Sequence, residues 1–236
     1  MEKVTIRYCF RLENGTIEDF PLEFEASSMT LVSPVSNNLP DWAKLDFGQC
    51  ENCPLSVLEN PYCPLALSIA PIVDRFDGIL SYETLGLDVD TDDRRTSHQT
   101  TAQRAVSSLM GLVIATSGCP HMNYFKPMAR FHLPLANEDE TAYRSCSMYM
   151  MAQYFRHQKG LDSDQTLAGM QKIYRNVQTV NYATAQRLRV AATTDSSINA
   201  LISLDIFAQM IPFTIEDSMN PLESLFAPFL APEGLS

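Results

Sequence analysis

Residues 3–25 read KVTIRYCFRLENGTIEDFPLEFE, and this stretch predicts how the fold begins. Apolar and polar residues alternate on both sides of Asn14-Gly15, which is the pattern of two strands that each bury one face. Asn-Gly supplies the positive φ angles that a tight hairpin turn needs. Pro21 has no N–H to donate, so the second strand is expected at a sheet edge. The chain is therefore predicted to start with an antiparallel hairpin.

Beyond this hairpin, the spacing of apolar residues predicts a second hairpin and then mostly helices. Residues 64–80 have helical spacing, whereas residues 84–100 alternate in two runs that are separated by Asp92-Asp93. Further helical patterns cover five stretches: residues 102–117, 138–159, 164–190, 197–211 and 215–229. Asn137 and Thr214 are predicted N-cap residues, and Pro212 predicts a break between the last two helices.

These elements predict an α+β fold. Residues 1–100 form N-terminal antiparallel β-hairpins with a helix and carry the cysteine-rich segment, and residues 101–236 form a C-terminal helical bundle. We expect the two parts to pack intimately as one globular unit, because 236 residues of which 45% are hydrophobic can bury a sizeable core.

Charge and composition exclude several classes of partner. A formal net charge of -11 repels a phosphate backbone, so no nucleic-acid binding is expected. The N-terminal residues lack the apolar core of a signal peptide, and no stretch has the roughly 18 apolar residues of a spanning helix. We therefore expect a cytoplasmic protein without a membrane partner. A protein partner stays open, and the sequence does not indicate an oligomeric state.

Four of the six cysteines predict a metal site. Cys50 and Cys53 form a C-x2-C pair, Cys63 follows after nine intervening residues, and the fold must bring in Cys119 from another element. C-x2-C pairs occur in both zinc and iron–sulfur sites, although the long gap to Cys119 matches no standard ribbon spacing. Six cysteines are too few and too unevenly placed for a disulfide scaffold in a chain of this length.

Proline follows three of these cysteines: Cys53-Pro54, Cys63-Pro64 and Cys119-Pro120. Because proline is favoured at the first position of a helix, each of the three is predicted to be a helix N-cap. A sulfur at an N-cap faces free backbone N–H groups, which lower its pKa. Gly118 can end the preceding helix in a left-handed conformation and place Cys119 at a corner.

The sequence leaves the identity of the metal between two alternatives. Zinc would close a tetrahedral site of four thiolates, and a four-iron cluster would also take four cysteines. An iron–sulfur cluster is slightly preferred, because Cys-Pro occurs among ferredoxin ligands and zinc-ribbon knuckles are missing. A redox dithiol at Cys50 and Cys53 lacks the βαβ context of thioredoxin. Cys9 and Cys146 are interpreted as inert core residues. The same interpretation is the alternative to metal binding for the other four cysteines, because free cysteine is often buried.

The histidines and the polar residues of the helices give weaker indications of function than the cysteines. His121 could replace a thiolate or orient one, but it is more typical of a loop residue. His132 alternates with apolar neighbours and is expected to pack rather than to catalyse. No nucleotide-binding, metalloprotease or hydrolase motif is present, so the cysteine cluster is the one chemical signal and enzyme activity is left undecided. Several polar residues on the bundle helices are expected on solvated faces: Arg144, Arg175, Asn181, Asn199 and Asp205.

Several motifs together resemble an uncharacterised family of proteobacterial proteins of unknown function. The resemblance spans nearly the full length and rests on five segments: LDFGQCENCPL (residues 45–55), YCP (62–64), SSLMG (107–111), TSGCP (116–120) and RFHLP (130–134). Glu51 stands where the family pattern also has a proline after the first cysteine. This difference changes a local turn but removes no thiolate. The resemblance implies no activity.

Two functions follow as hypotheses. The first is a regulatory or interaction protein whose metal centre is structural and ties the β part to the helical bundle. The second is an iron–sulfur protein that transfers electrons, senses oxidants or handles sulfur. In both, the ligands are Cys50, Cys53, Cys63 and Cys119.

Overall fold

The computed structural model describes residues 2–32, 39–192 and 195–230, without the side chains of residue 207 and residues 210–221. The described chain has an α+β fold, as predicted. Its strands are β1 (Lys3–Leu12), β2 (Ile17–Glu25), β3 (Thr84–Thr91) and β4 (Arg95–Thr101). Its α-helices are α1 (Pro64–Phe76), α2 (Ala102–Thr116), α3 (Lys126–Arg130), α4 (Glu138–Gln158), α5 (Ala168–Ala191), α6 (Ser196–Met219) and α7 (Ala227–Leu230). Short 3-10 helices cover Asp41–Ala43, Asn123–Phe125 and Asn220–Phe226.

The four strands form one antiparallel sheet in the order β2-β1-β3-β4. Both predicted hairpins are present, with Tyr8 opposite Phe20 in the first and Asp88 opposite Ser97 in the second. β2 is an edge strand, which agrees with the expectation from Pro21 because that residue cannot donate to a further strand.

One face of the sheet is buried against helices. Alternate residues of β1 point into the core, and the Phe10 ring meets the Phe76 ring of α1 edge to face at a centroid distance of 4.8 Å. The opposite face carries exposed ion pairs, including Arg7 with Asp19 at 2.7 Å, and such pairs add little stability. Cys9 lies on this outer face and is partly exposed, so its predicted place in the core is wrong.

Four helices differ from the sequence prediction. α1 ends at Phe76 rather than near residue 80. α5 starts at Ala168 rather than at residue 164, and α6 continues through Pro212 to Met219, so the predicted break is wrong. A proline inside a helix removes one backbone hydrogen bond, and the packing of α6 along α2 and α5 outweighs that loss. The cap expected from Thr214 lies outside the described side chains. The predicted last helix is replaced by a 3-10 helix followed by α7.

α4 starts as predicted. Asn137 accepts a hydrogen bond from the backbone N–H of Glu140 at 2.9 Å, and the Glu140 carboxylate accepts the backbone N–H of Asn137 at 2.8 Å. This reciprocal pair is a capping box, which satisfies two backbone donors at the helix end.

None of the helices in the described part of the chain combines the length and the apolar character of a membrane-spanning segment.

Asp164 organises the turn before α5 instead of starting the helix. Its carboxylate accepts the backbone N–H of Thr166 at 2.7 Å and that of Gly169 at 2.8 Å, and the Tyr149 hydroxyl at 2.8 Å. Hydrogen bonds to the charged form hold the pKa of Asp164 well below its ordinary value, the largest cause being the Thr166 hydroxyl.

We expect Asp164→Asn to flatten the acid side of the stability curve. Because the folded pKa of Asp164 lies below its unfolded value near 3.8, its contribution is complete above about pH 5 and is lost as the pH falls through the folded pKa. The free energy of unfolding should therefore differ most between wild type and variant at neutral pH, and the difference should shrink below about pH 4. Urea denaturation at several pH values measures this, with exposed Asp162→Asn as the control. A pH-independent difference would contradict the prediction.

Candidate functional site

The four predicted cysteine ligands come together in the structure. Cys50, Cys53, Cys63 and Cys119 all line one small cavity of about 20 Å³. Cys119 is buried and the other three are partly buried. All six cysteines are free thiols, so no disulfide accounts for the cluster. Residues separated by up to 69 positions in the chain thus meet at one point.

Backbone hydrogen bonds close the segment that carries the first three cysteines, residues 43–63, which we call the cysteine loop. The N–H of Leu45 donates to the carbonyl of Pro61 at 3.0 Å, and the N–H of Cys63 donates to that of Ala43 at 2.8 Å. Within the loop, the N–H of Cys53 donates to the carbonyl of Cys50 at 3.0 Å, which forms a tight turn. The base of the loop therefore brings Cys63 back toward the C-x2-C turn.

The N-cap prediction is confirmed for one of the three Cys-Pro pairs. Cys63 is the N-cap of α1, with proline in the first turn. Cys119 follows Gly118, whose φ of 88° turns the chain as predicted, but a turn and a 3-10 helix follow Cys119 instead of an α-helix. The backbone N–H groups of His121 and Met122 nevertheless donate to its sulfur. Cys53 is followed by irregular chain, so its predicted N-cap role is wrong.

The expected lowering of thiol pKa values is also wrong where a shift is resolved. Burial raises the pKa of Cys119, although the two N–H donors oppose this rise. Burial, with the negative charge of the three neighbouring thiolates, raises the pKa of Cys50 to about 12. Removal from water favours the neutral thiol, and a second thiolate nearby favours it further. In the absence of a cation, these two thiols are therefore neutral at pH 7.

His121 connects the two halves of the site through its ring. It lines the cavity, and its Nε2 donates a hydrogen bond to the carbonyl of Asn52 at 2.7 Å. Asn52 is also bound to α5. Its Nδ2 donates to the carbonyl and side-chain oxygens of Asn176, at 3.1 and 3.3 Å. The Nε2 atom is thus engaged with the backbone of the C-x2-C turn, and His121 orients that turn.

Arg187 of α5 is the site residue that sequence reasoning missed. Its side chain is only 2% exposed and lines the same cavity. Its Nη1 donates to the carbonyls of Trp42 and Lys44 at 2.6 and 2.7 Å, and its Nη2 donates to that of Leu45 at 3.1 Å. No Asp or Glu among the described residues forms an ion pair with it. A buried guanidinium without a carboxylate therefore stands beside four cysteines.

The thiols of the cluster are not arranged as a finished ion site. Among the residues that the structure describes, no group of three or more His, Cys, Asp or Glu side chains is placed to hold one metal ion. The four cysteines nevertheless line one cavity, and the other three lie close enough to Cys50 to affect the pKa of its thiol.

The remaining cysteine and histidine candidates lie outside this cavity. Cys146 is buried in α4, as predicted for a core residue. His132 packs against Tyr8 and lies in a different cavity, which agrees with its predicted packing role. Of the five polar residues expected on solvated helix faces, only Arg175 is exposed. Asn181 is buried, and the other three are partly buried: Arg144, Asn199 and Asp205.

A family model described as a domain of unknown function, DUF6901, matches residues 6–227. The chain belongs to this family. The DUF6901 match includes all four clustered cysteines and Arg187, and it agrees with the resemblance to an uncharacterised family. No curated protein and no solved structure matches the chain significantly. Membership in DUF6901 brings no activity with it, so a function must be argued from the site.

Proposed function

We propose that this protein binds a metal centre through the thiolates of Cys50, Cys53, Cys63 and Cys119. The observation that carries the proposal is the convergence of four thiols from two distant segments on one cavity. Free cysteine is often buried as a small apolar residue, but isolated core cysteines have no reason to line a common space. Thiolate ligands in such a space are the donor set of zinc and iron–sulfur centres.

The charge of Arg187 supports a negatively charged occupant. Four thiolates around a divalent ion, or around a cluster core of the same charge, leave a net negative charge on the centre. A buried guanidinium needs a compensating anion, and the described residues provide no carboxylate for it. A metal–thiolate centre in the adjacent cavity provides that anion, while the cation in the centre offsets the burial and the thiolate repulsion that together raise the pKa of Cys50.

The residues beside the cysteines give a slight preference for an iron–sulfur cluster over a single zinc ion. Proline follows Cys53, Cys63 and Cys119, and Cys-Pro occurs among the ligands of ferredoxins. The knuckles typical of zinc ribbons are missing from the sequence, although zinc takes the same four thiolates.

The function that we propose is that of an iron–sulfur protein whose centre also ties the cysteine loop to α1 and to the corner after α2. A cluster of this kind accepts and releases single electrons, so electron transfer or oxidant sensing is the proposed activity. Its location is proposed to be cytoplasmic, because reducing conditions keep thiols free. A zinc centre with a purely structural role in a regulatory or interaction protein is the second candidate, since four thiolates also suit zinc.

Metal analysis of anaerobically purified and reconstituted protein tests this proposal. We expect a brown protein with visible absorbance and about four iron atoms and four sulfides per chain. Cys9→Ser should leave this content unchanged because Cys9 lies on the outer face of the sheet, whereas Cys63→Ser should abolish or strongly reduce it. Zinc at about one atom per chain would instead support the second candidate, a structural zinc centre. A colourless protein free of both metals would contradict the proposal.

A further inference from the structure

A second and much larger cavity lies apart from the cysteine cluster. It has a volume of about 700 Å³, within the range of about 300–1,000 Å³ of small-molecule sites, and shares no lining residue with the cysteine cavity. Its walls are one face of α2, parts of α5 and α6, and the segment 122–144 that leads into α4. The proposed metal centre plays no part in this second cavity.

Small residues on α2 make the space. Ser108, Gly111 and Ala115 follow one another along the face of α2 that lines the cavity. A Cβ at position 111 would stand 3.4 Å from Cδ2 of Leu204 on α6. The two helices are therefore close at this point, and a methyl group on α2 would just touch α6. Most of the remaining lining is apolar, with aliphatic, methionine and aromatic side chains from all four walls. The cavity is thus suited to an apolar molecular body.

An uncharged hydrogen-bond network contributes two residues, Ser108 and His132, to the lining. The buried Tyr8 hydroxyl is 2.5 Å from His132 Nε2 and 2.8 Å from Ser108 Oγ, which also accepts the backbone N–H of Leu135 at 3.1 Å. Burial, with a smaller effect of Arg144, lowers the pKa of His132 to about 3, so its ring is neutral at pH 7. This network offers polarity but no charge to a ligand.

Arg144 supplies a positive charge to the same cavity. It is partly buried, and its Nη2 donates to the carbonyls of Met128 and Phe131, both at 2.9 Å. A guanidinium has five N–H donors, and these two bonds engage one nitrogen. Among the described residues, no carboxylate forms an ion pair with Arg144. Donors of a partly desolvated cation are therefore available to an anionic group inside the cavity.

Ser107 contributes a second serine to the lining beside Ser108, and the residue is only 6% exposed. Glu138 and Asp139 also line the cavity, but both are exposed at the start of α4, where water and salt screen their charge.

We propose that this cavity binds an amphipathic carboxylate, a molecule with an apolar body and one carboxylate headgroup. The body lies against the small-residue face of α2 and the apolar side chains of α5 and α6. The headgroup accepts charge-assisted hydrogen bonds from Arg144. A medium-chain fatty acid has this chemistry, and so does an aryl-substituted carboxylic acid.

Calorimetric titration of the full chain with three probes of equal chain length tests the headgroup. The probes are decanoate, decanol and decylamine, each kept below its micelle concentration. We expect decanoate to bind about ten- to a hundredfold more tightly than decanol, and decylamine to bind most weakly, because only the carboxylate can pair with Arg144. Equal affinities for decanoate and decanol would overturn the headgroup assignment. Tightest binding of decylamine would assign the headgroup site to Glu138 and Asp139 instead, and no binding of any probe would overturn the proposal.

Two variants locate the site. Arg144→Gln should weaken decanoate binding about tenfold or more and leave decanol binding unchanged. Arg156→Gln is the matched control, because Arg156 lies on the same helix, also donates to a backbone carbonyl and does not line the cavity. Gly111→Leu adds a side chain to the wall that α2 forms, keeps Arg144 in place and should abolish binding of both probes. Unchanged decanoate affinity in folded Gly111→Leu protein would place the ligand elsewhere and overturn the proposal.

Discussion

Arg187→Met is expected to destabilise the protein by roughly 3–5 kcal/mol, because the substitution removes a buried guanidinium that donates three hydrogen bonds to backbone carbonyls. Those carbonyls belong to residues 42, 44 and 45 at the base of the cysteine loop. The base of the loop should therefore lose its hydrogen bonds to α5 even though methionine fills much of the arginine volume, while the bond between Asn52 and Asn176 remains. Urea denaturation measures the loss as a lower transition midpoint.

The control for this prediction is Arg189→Met, two positions further along α5. Arg189 is exposed, so its replacement should change the free energy of unfolding by no more than about 0.5 kcal/mol. Arg187→Lys keeps the charge but cannot donate to three carbonyls with the geometry of a guanidinium, and it should recover only part of the loss. Equal stability of Arg187→Met and Arg189→Met would contradict the role that we assign to Arg187.

Arg187→Met also separates two contributions of Arg187, its charge beside a metal centre and its role as an anchor of the cysteine loop. If its charge compensates a metal–thiolate centre, Arg187→Met should also lower the metal content of reconstituted protein, whereas Arg187→Lys should retain more metal than Arg187→Met. A purely structural anchor would show parallel losses of stability and metal in both variants. Metal content plotted against stability across the three proteins distinguishes these cases.

Cys119→Ser is expected to remove the metal centre and to lower the stability of reconstituted protein by on the order of 5 kcal/mol or more, because metal-binding energy contributes directly to folding. Cys119 reaches the cavity from the corner after α2, while the other three thiols lie on the cysteine loop. The substitution therefore removes the ligand that joins the loop to that corner. Thermal and urea denaturation of the metal-loaded proteins measure the effect.

Cys146→Ser is the matched control, because Cys146 is also buried but lies in α4, away from the cavity. It makes the same change from thiol to hydroxyl and should cost only the burial of a hydroxyl, about 1–3 kcal/mol. Removing metal from the wild type with a chelator should reproduce the Cys119→Ser loss, and the chelator should have no further effect on Cys119→Ser. Equal losses in the two serine variants would contradict a stabilising metal centre.

Local sequence signals predicted much of the fold. Alternation around Asn14-Gly15 predicted the first hairpin, and Pro21 predicted that β2 lies at an edge. The N-cap at Asn137 was recognisable because a capping side chain binds a backbone N–H only three residues further along the chain. Such features depend on neighbours in the chain, which is why the sequence alone contains them.

Predictions failed where packing outweighs a local preference. Pro212 should end a helix by its own geometry, yet α6 continues past it against α2 and α5. Pro54 should start a helix after Cys53, yet the cysteine loop is irregular there, and Asn176 of α5 holds it from outside by accepting a hydrogen bond from Asn52. Proline and cap preferences amount to a few kcal/mol, and tertiary contacts of whole helices can exceed this.

For the candidate site, the sequence by itself determined which residues have the chemistry of metal ligands: a C-x2-C pair, a third cysteine close by and a fourth at a glycine corner. Only the tertiary structure decided that the four thiols meet, and that burial raises the pKa values of Cys50 and Cys119. It also decided that Arg187, one polar residue among many on a helix, is a buried cation at their side. Identity and spacing are properties of the chain, whereas desolvation and charge–charge distance exist only once distant segments have packed together.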